Sequence, residues 1–490
     1  MTKTAIVVGS GFGGISASLR LRALGYHVKL FEKLNQLGGR ARVFKKSGFT
    51  FDAGPTVITA PFLFDELFDL FNKTRSEYVE FVKLDPWYRF YFSENNKVFN
   101  YSDSLKKTEN EIAKFSQEDV IGYRKLLDFS EKIFNVGFGK LSSVPFHNFF
   151  FMIKQIPTLL RLKSYLSVYK LVSKFIKNEQ IRQAFSIQPL LLGGNPLDTT
   201  SIYNLIHFLE RKWGVHYAMG GTGKIIKAFE KLMKEEKIKV FKNSEVSQIL
   251  TEKDKAIGIV VNKKKVLADK IVMNTDPAFT YNYMIKSVRN KKWNKKKVNN
   301  MKFSMGLFVI YFGTSKKFSK IAHHTIWMGK RYKGLLKDIF NNEILADDFS
   351  LYLHRPTATD KTMAPKNCDS FYVLSPVPNL KCPINWKKYG ETYQEKILSA
   401  LEKTILPNLK ENLKVCFHMS PSNFRDDYNS LYGSGFSISP VFRQSAWFRF
   451  HNKSENFNNL YFVGAGCHPG AGVPGVISSA KVLENILKNE

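Results

Sequence analysis

The sequence predicts an α/β fold in which a Rossmann-like dinucleotide-binding domain is interrupted by an inserted α+β substrate domain and by a helical region. Three observations predict it. A strand, a glycine-rich turn, a helix and a second strand follow one another within residues 4–32. Strand patterns return at 238–276, and a last strand, a second glycine-rich loop and a helix fall at 459–487. We therefore expect these three segments to build one nucleotide-binding domain.

The first segment carries the dinucleotide-binding pattern. An apolar strand at 4–8 runs into G-x-G-x-x-G, a helical pattern follows as far as Gly25, and a strand at 28–31 ends on Glu32. Such glycines permit a tight turn, let a pyrophosphate approach the backbone and allow close packing, while the helix N-terminus offers free N–H groups to the anion. Glu32 stands where a carboxylate accepts hydrogen bonds from an adenosine ribose. The predicted binding glycines are Gly9, Gly11, Gly13 and Gly14.

A second cluster of motif residues lies at 38–40 and 54–56. An NAD-binding fold does not require these residues, so they indicate which dinucleotide the protein binds. Taken alone, residues 38–40 could also form an ordinary polar turn that binds no cofactor. After the first fingerprint, however, the pattern resembles that of the two-dinucleotide-binding-domain flavoproteins, in which paired glycines and an arginine lie against the FAD pyrophosphate and the flavin end. The resemblance implies FAD as the cofactor. The residues concerned are Gly38, Gly39, Arg40, Gly54, Pro55 and Thr56.

Length and cysteine usage limit the class of protein. A chain of 490 residues with 44% hydrophobic residues is long enough for two or three domains. Its four cysteines form no C-x-x-C pair and no cluster at ligand spacing, so we expect neither disulfides nor a metal site, and a reducing cytosolic setting fits best. Because only three residues precede the first strand, we expect no signal peptide, and because no apolar stretch reaches the length of a bilayer crossing, we expect no transmembrane helix.

The net charge of +32 has three possible explanations: lysine-biased composition, attraction to an anionic membrane surface, or nucleic-acid binding. No nucleic-acid-binding module is recognisable, so no nucleic-acid partner is expected. One stretch favours the membrane. Residues 146–174 interleave aromatic and aliphatic side chains with lysines and arginines, a pattern typical of helices in a bilayer interface. The alternative is an amphipathic helix pair packed on the protein core, and the sequence leaves both open.

A predicted helix at 202–213 lies between two glycine-rich loops and carries the candidate catalytic residues. Helical spacing places Tyr203, His207, Glu210 and Arg211 along one face. We interpret this face as polar lining near the flavin, with His207, Glu210 and Arg211 as the candidates. A solvated or ion-paired helix edge is the alternative.

The C-terminal strand, loop and helix could form a second nucleotide site, but no second strand and no ribose-binding acid follow them. The loop is therefore predicted to close over the first site. Its predicted binding residues are Gly464, Ala465, Gly466, Gly472, Val473 and Pro474. Val246, in the middle segment, is expected to touch the adenine, as the flavoprotein resemblance implies. The predicted segments are 1–80, 220–290 and 441–490 for the FAD-binding domain, and 81–219 and 291–440 for the substrate and membrane-contact regions.

Taken over nearly its whole length, the chain resembles the bacterial and fungal phytoene desaturases, a carotenoid-forming branch of the amine-oxidase-like flavoproteins. Beyond the N-terminal motifs, the resemblance rests on 51–56, 192–196, 205–214, 220–223, 444–449 and 459–475. The match is loose over 291–369, and Leu166 and Met219 stand where the family has a polar and a basic residue.

The resemblance implies an FAD-dependent enzyme that desaturates a forty-carbon carotenoid dissolved in the membrane, converting 15-cis-phytoene to lycopene in four steps. Each step sends a hydride to the flavin, and oxygen or a quinone takes the electrons. The enzyme would sit peripherally on the cytoplasmic face of the membrane. The alternatives are a desaturase of a thirty-carbon, hydroxylated or methoxylated carotenoid, an amine or porphyrinogen oxidase, and a non-catalytic GDI-like isoprenoid carrier.

Overall fold

The computed structural model describes residues 3–286 and 292–490. Its strands are β1 Thr4–Val8, β2 His27–Phe31, β3 Val43–Lys46, β4 Phe49–Asp52, β5 Phe81–Lys83, β6 Tyr88–Phe92, β7 Lys97–Tyr101, β8 His216–Ala218, β9 Lys239–Phe241, β10 Val246–Glu252, β11 Lys255–Val261, β12 Lys264–Leu267, β13 Lys270–Met273, β14 Gly306–Thr314, β15 His324–Met328, β16 Leu351–His354, β17 Asp369–Val377, β18 Leu413–Met419 and β19 Leu460–Phe462.

The helices lie between these strands and after the last of them. They are α1 Phe12–Ala23, α2 Phe62–Asp69, α3 Leu105–Ala113, α4 Glu118–Gly137, α5 Phe149–Arg161, α6 Val168–Val172, α7 Glu179–Ser186, α8 Leu205–Trp213, α9 Thr222–Glu235, α10 Pro277–Phe279, α11 Lys295–Asn299, α12 Tyr332–Lys337, α13 Trp386–Thr404, α14 Pro421–Tyr428 and α15 Val473–Lys488. In the parts of the chain that the structure describes, no helix combines the length and apolarity that a bilayer crossing requires.

A five-stranded parallel sheet forms the nucleotide-binding body. Its strand order is β19-β13-β1-β2-β9, so strands from the N-terminal, middle and C-terminal segments lie side by side. The central strand β1 is apolar because helices cover one face and the three-stranded antiparallel sheet β10-β11-β12 covers the other. The predicted assembly of three sequence segments into one sheet is therefore confirmed.

A seven-stranded sheet with the order β18-β14-β17-β16-β15-β6-β7 forms the second body. All its pairs are antiparallel except β15 with β6. Most of the helices between β7 and β8 pack against it, and α4 packs on α8. The division of the chain at 80, 219, 290 and 440 stays a prediction, and the boundary between 290 and 291 lies outside the described residues.

Candidate functional site

Four parallel strands end at the same edge of the five-stranded sheet, and a cavity begins there. β1 leads to Gly9, β2 to Glu32, β13 to Asn274 and, one residue further on, β19 to Gly464. All four of these residues line the cavity. Because the carboxyl ends of parallel strands are where α/β proteins bind nucleotides, this edge is the expected place for a dinucleotide. We call this space the central cavity.

Glu32 provides the ribose-binding end of the central cavity. Its side chain is buried; one carboxylate oxygen accepts hydrogen bonds from Ser10 N (2.9 Å) and Ser10 Oγ, and the other accepts from Leu34 N (2.9 Å). A carboxylate offers about four acceptor positions, so one remains for a ribose hydroxyl. Val246 and its two preceding residues line the same end.

The glycine turn depends on one backbone conformation that favours glycine and on one close approach. Gly9 has a φ of +93°, in the region that favours glycine. A Cβ on Gly14 would lie 1.9 Å from Gly9 O, so α1 packs on the turn at a distance that only glycine allows. Gly11 lines the cavity, and α1 begins after it without a side-chain cap, which leaves N–H groups of the first helical turn for an anion.

A second helix N-terminus and a half-buried cation face the same space. α15 also begins without a side-chain cap, and its first residues line the cavity. Arg40 donates from Nη2 to Ser430 Oγ (3.2 Å), while its Nε is buried with no partner among the described residues. Burial lowers the pKa of the Arg40 guanidinium, because the charged form loses hydration. A pyrophosphate would supply the missing negative charge, so these residues fit the FAD that the fingerprint implies.

Most of the predicted cofactor residues line the central cavity. They are Gly9, Gly11, Glu32, Gly38, Gly39, Arg40, Gly54, Pro55, Thr56, Val246, Gly464, Ala465, Gly472, Val473 and Pro474. Gly13, Gly14 and Gly466 lie behind its wall. There a Cβ on Gly13 would come within 2.5 Å of Asn274 Oδ1, and one on Gly466 within 2.4 Å of Pro277 Cδ. Their small size serves packing, and their predicted contact with the cofactor stays a prediction.

Beyond the glycine cradle the cavity continues into the second body, where many of its lining residues are apolar. Its walls there include Met152, Leu159, Leu190, Leu209, Leu307, Val309, Leu374 and Phe436. Two tyrosines mark the transition. Thr56 Oγ1 is 2.9 Å from the hydroxyl of Tyr372 and 3.2 Å from that of Tyr352, so the loop after β4 is tied to the seven-stranded sheet.

Of the three candidate catalytic residues, Glu210 reaches the central cavity. Its Oε1 accepts a hydrogen bond from the Tyr88 hydroxyl (2.8 Å), and its Oε2 is buried with no partner among the described residues. Burial raises the pKa of the Glu210 carboxyl to about 7, because the anion loses hydration. Glu210 therefore carries a carboxyl group that can exchange a proton near neutral pH.

His207 and Arg211 lie on the same helix but contact other parts of the protein. His207 is buried with Nε2 2.9 Å from Phe185 O, and burial lowers its pKa to about 4. The Arg211 guanidinium lies 4.4 Å from the Trp87 ring centre and donates to the Tyr123 hydroxyl. Neither side chain lines the central cavity, so their direct roles in catalysis stay predictions.

Several residues that line the central cavity were not predicted from the sequence. Tyr88 belongs to β6, Tyr352 and Tyr372 to β16 and β17, and Asn274 follows β13. None belongs to a recognisable motif. The alternation of aromatic residues in 88–101 is the one signal that could have found Tyr88, since it predicts strands with an aromatic face.

Comparison with known proteins agrees with this site. Residues 12–482 match the family of flavin containing amine oxidoreductases. A lycopene-forming phytoene desaturase of Pantoea ananas is 43% identical over 487 residues, which cover 99% of each chain. A neurosporene-forming phytoene desaturase of Cereibacter sphaeroides is 41% identical over 98% of this chain and 94% of its own. An oxidoreductase from Methanosarcina mazei of known structure has a TM-score of 0.67 at 18% identity and covers 99% of this chain and 100% of its own.

The fold, the glycine cradle and the family match define the class: the chain belongs to the flavin-containing amine oxidoreductases. Full-length identity to the two phytoene desaturases then places it in the carotenoid desaturase family. The predicted fold class and the predicted FAD cofactor are confirmed.

Gly11→Val should abolish FAD binding, because its Cβ would already lie 3.0 Å from Asn274 Nδ2 and the branched carbons would fill the pyrophosphate cradle. The measurement is flavin absorbance of purified protein after dialysis against FAD. Gly25→Asn is the matched control, since no atom lies within 4 Å of that position and asparagine tolerates its φ of +86°. Full flavin content in Gly11→Val would show that Gly11 does not lie against the pyrophosphate of FAD.

Proposed function

We propose that this protein is an FAD-dependent phytoene desaturase that converts 15-cis-phytoene to lycopene. The observation that carries the proposal is the continuity of the glycine cradle with a largely apolar extension of the same cavity. A hydrocarbon has no group for hydrogen bonding, so it is held by apolar contact along its length. The lycopene-forming relative, at 43% identity, supports the same substrate.

A neurosporene-forming desaturase is the second candidate, because one such enzyme is 41% identical to this chain. The two candidates differ in the number of desaturation steps. Apolar walls such as Leu307, Val309 and Leu374 hold both ends of a hydrocarbon alike, so the extension can readmit an intermediate from either end, which favours the longer series. A hydroxylated substrate would need one of the polar groups of the lining as a partner, since an unpaired buried hydroxyl costs about 1–3 kcal/mol.

In the proposed reaction, FAD when bound supplies the hydride acceptor. The protein provides alignment, exclusion of water and a proton acceptor. The apolar walls hold the polyene, and we assign the proton-accepting role to Glu210, whose Oε2 has no partner among the described residues. The Tyr88 hydroxyl holds Oε1 and fixes the orientation of the carboxyl group. Oxygen or a membrane quinone is the proposed final electron acceptor.

We further propose that α5 attaches the protein to a membrane and admits the substrate. Met152 and Leu159, on one side of this helix, line the central cavity. Other side chains face outward: Phe150 is 74% exposed and Leu160 56% exposed. Exposed aromatic and aliphatic groups beside Lys154 and Arg161 suit a bilayer interface. The cytoplasmic leaflet, which is anionic, would attract the net charge of +32.

Liposomes that contain 15-cis-phytoene should accumulate the red pigment lycopene when this protein and FAD are added without NAD. The measurement is the absorption spectrum and chromatography of the extracted pigment. Heat-inactivated protein is the control. Accumulation of neurosporene alone would favour the second candidate, and turnover of a thirty-carbon substrate alone would exclude phytoene.

Glu210→Gln should lower the turnover number by about 100-fold or more, because an amide cannot accept the proton. The wild-type rate should rise with pH through about 7, as the carboxyl group with its raised pKa becomes a carboxylate. Tyr88→Phe should shift that midpoint upward, since the Tyr88 hydrogen bond lowers the pKa of Glu210. Glu77→Gln, a surface change, is the control. A rate that is independent of pH in the wild type would exclude Glu210 as the base.

Phe150→Asp and Leu160→Asp should each weaken binding to anionic liposomes by about tenfold or more, because each removes a buried apolar contact from the interface. Flotation at several salt concentrations is the measurement, since attraction between exposed charges is screened by salt. Leu267→Asp makes the same charge change at a residue on β12 that is 63% exposed. If all three variants weaken binding equally, α5 is not the contact surface.

A further inference from the structure

We propose that His323, His324 and His354 form a binding site for a zinc-class divalent cation. The three residues come from neighbouring strands: His324 begins β15, His354 ends β16, and the two are directly paired across the antiparallel ladder. All three are buried, with exposures of 5%, 0% and 0%. One nitrogen from each imidazole lies within 4.8 Å of the others.

Hydrogen bonds orient two of the three histidines as ligands. His323 Nδ1 is 2.7 Å from Thr359 Oγ1, and His324 Nδ1 is 2.7 Å from the Tyr352 hydroxyl. In metal sites the second ring nitrogen of a ligating histidine is usually held by such a partner, which fixes the tautomer and the ring orientation. The Nε2 atoms of both histidines are then available to a cation.

One pair of nitrogens already has the separation that a shared ion requires. His323 Nε2 lies 3.1 Å from His354 Nε2. Two ligands at about 2.0–2.1 Å from a tetrahedral zinc ion are separated by roughly 3.3 Å. His324 Nε2 is buried with no hydrogen-bond partner among the described residues, so this nitrogen is unused in the interior of the cluster.

The donor set selects the class of ion. Imidazole nitrogens suit zinc and its neighbours, whereas magnesium and calcium require oxygen ligands. Three histidines leave a fourth position for water or hydroxide.

Such an ion would fix the wall of the central cavity. It would join β15 to β16 and hold His324, whose partner Tyr352 also contacts Thr56. Tyr352 and Thr56 both line the cavity where its polar and apolar parts meet. The cation site is independent of the proposed substrate, because it rests on the histidines and their partners alone.

The test is metal analysis of flavin-loaded protein made without a polyhistidine tag, dialysed against zinc and then against metal-free buffer. We expect one zinc ion per chain, and after exchange with cobalt we expect the visible absorption bands of a tetrahedral Co²⁺ site. His324→Gln and His354→Gln should lose the bound metal. His418→Gln, on β18 of the same sheet and held by Gln394, is the matched control and should retain it.

Thr359→Val keeps all three histidines and removes only the partner of His323, so it remains informative if the histidine variants do not fold. We expect it to weaken zinc binding by roughly 10- to 100-fold. Absence of zinc from folded wild-type protein, or equal zinc content in wild type, His324→Gln and Thr359→Val, would overturn the proposal. In that case the cluster is a hydrogen-bonded histidine network, in which a buried water can occupy the interior.

Discussion

The cofactor site depends on the contact between the turn after β1 and the first turn of α1. Gly14 meets the carbonyl of Gly9 at a distance that excludes any side chain. This contact places the uncapped N-terminus of α1 at the carboxyl edge of the sheet, beside Glu32 and Arg40. Larger residues would move the helix away, and its N–H groups would no longer reach an anion. The rest of the cavity is arranged around that fixed point.

The polar and apolar ends of the cavity belong to different bodies of the protein, and hydrogen bonds join them. Thr56, from the loop after β4, contacts Tyr352 and Tyr372 of the seven-stranded sheet. This connection matters because a hydride transfer requires the substrate and the ring system of the cofactor to be held in a fixed relation. Glu210 also lines the cavity, and its Oε2 has no hydrogen-bond partner among the described residues. The pKa of its carboxyl group therefore depends on what occupies the cavity beside it.

Residues 146–174 form two helices that differ in burial: α6 is buried among other helices, whereas α5 has one side on the cavity and another facing outward. The mixture of aromatic, aliphatic and basic residues at 146–174 was compatible with packing on the core and with a membrane interface. In the structure Met152 is buried and lines the cavity, whereas Phe150 and Leu160 face outward. Packing within the protein explains why the side of α5 that carries Met152 is apolar. Within the described chain nothing covers Phe150 and Leu160, and their apolar character motivates the proposed membrane contact.

The sequence by itself determined the nucleotide-binding body and the cofactor. Gly9, Gly11 and Glu32 could be interpreted in advance because their roles depend on backbone conformation and on spacing within one βαβ unit, both of which are local. Even the joining of β13 and β19 to β1 was predictable from strand patterns in the distant segments.

Only the tertiary structure decided which side chains meet in the rest of the site. Local helical spacing put His207, Glu210 and Arg211 on one face, yet Glu210 alone of the three lines the cavity, because α8 is oriented by its packing against α4. The pairing of His324 with His354 depends on the register of β15 and β16, 30 residues apart in the chain. The contact of Thr56 with Tyr352 depends on a loop that packs against a sheet 296 residues away. Such contacts follow from the packing of whole elements, which no short stretch of sequence specifies.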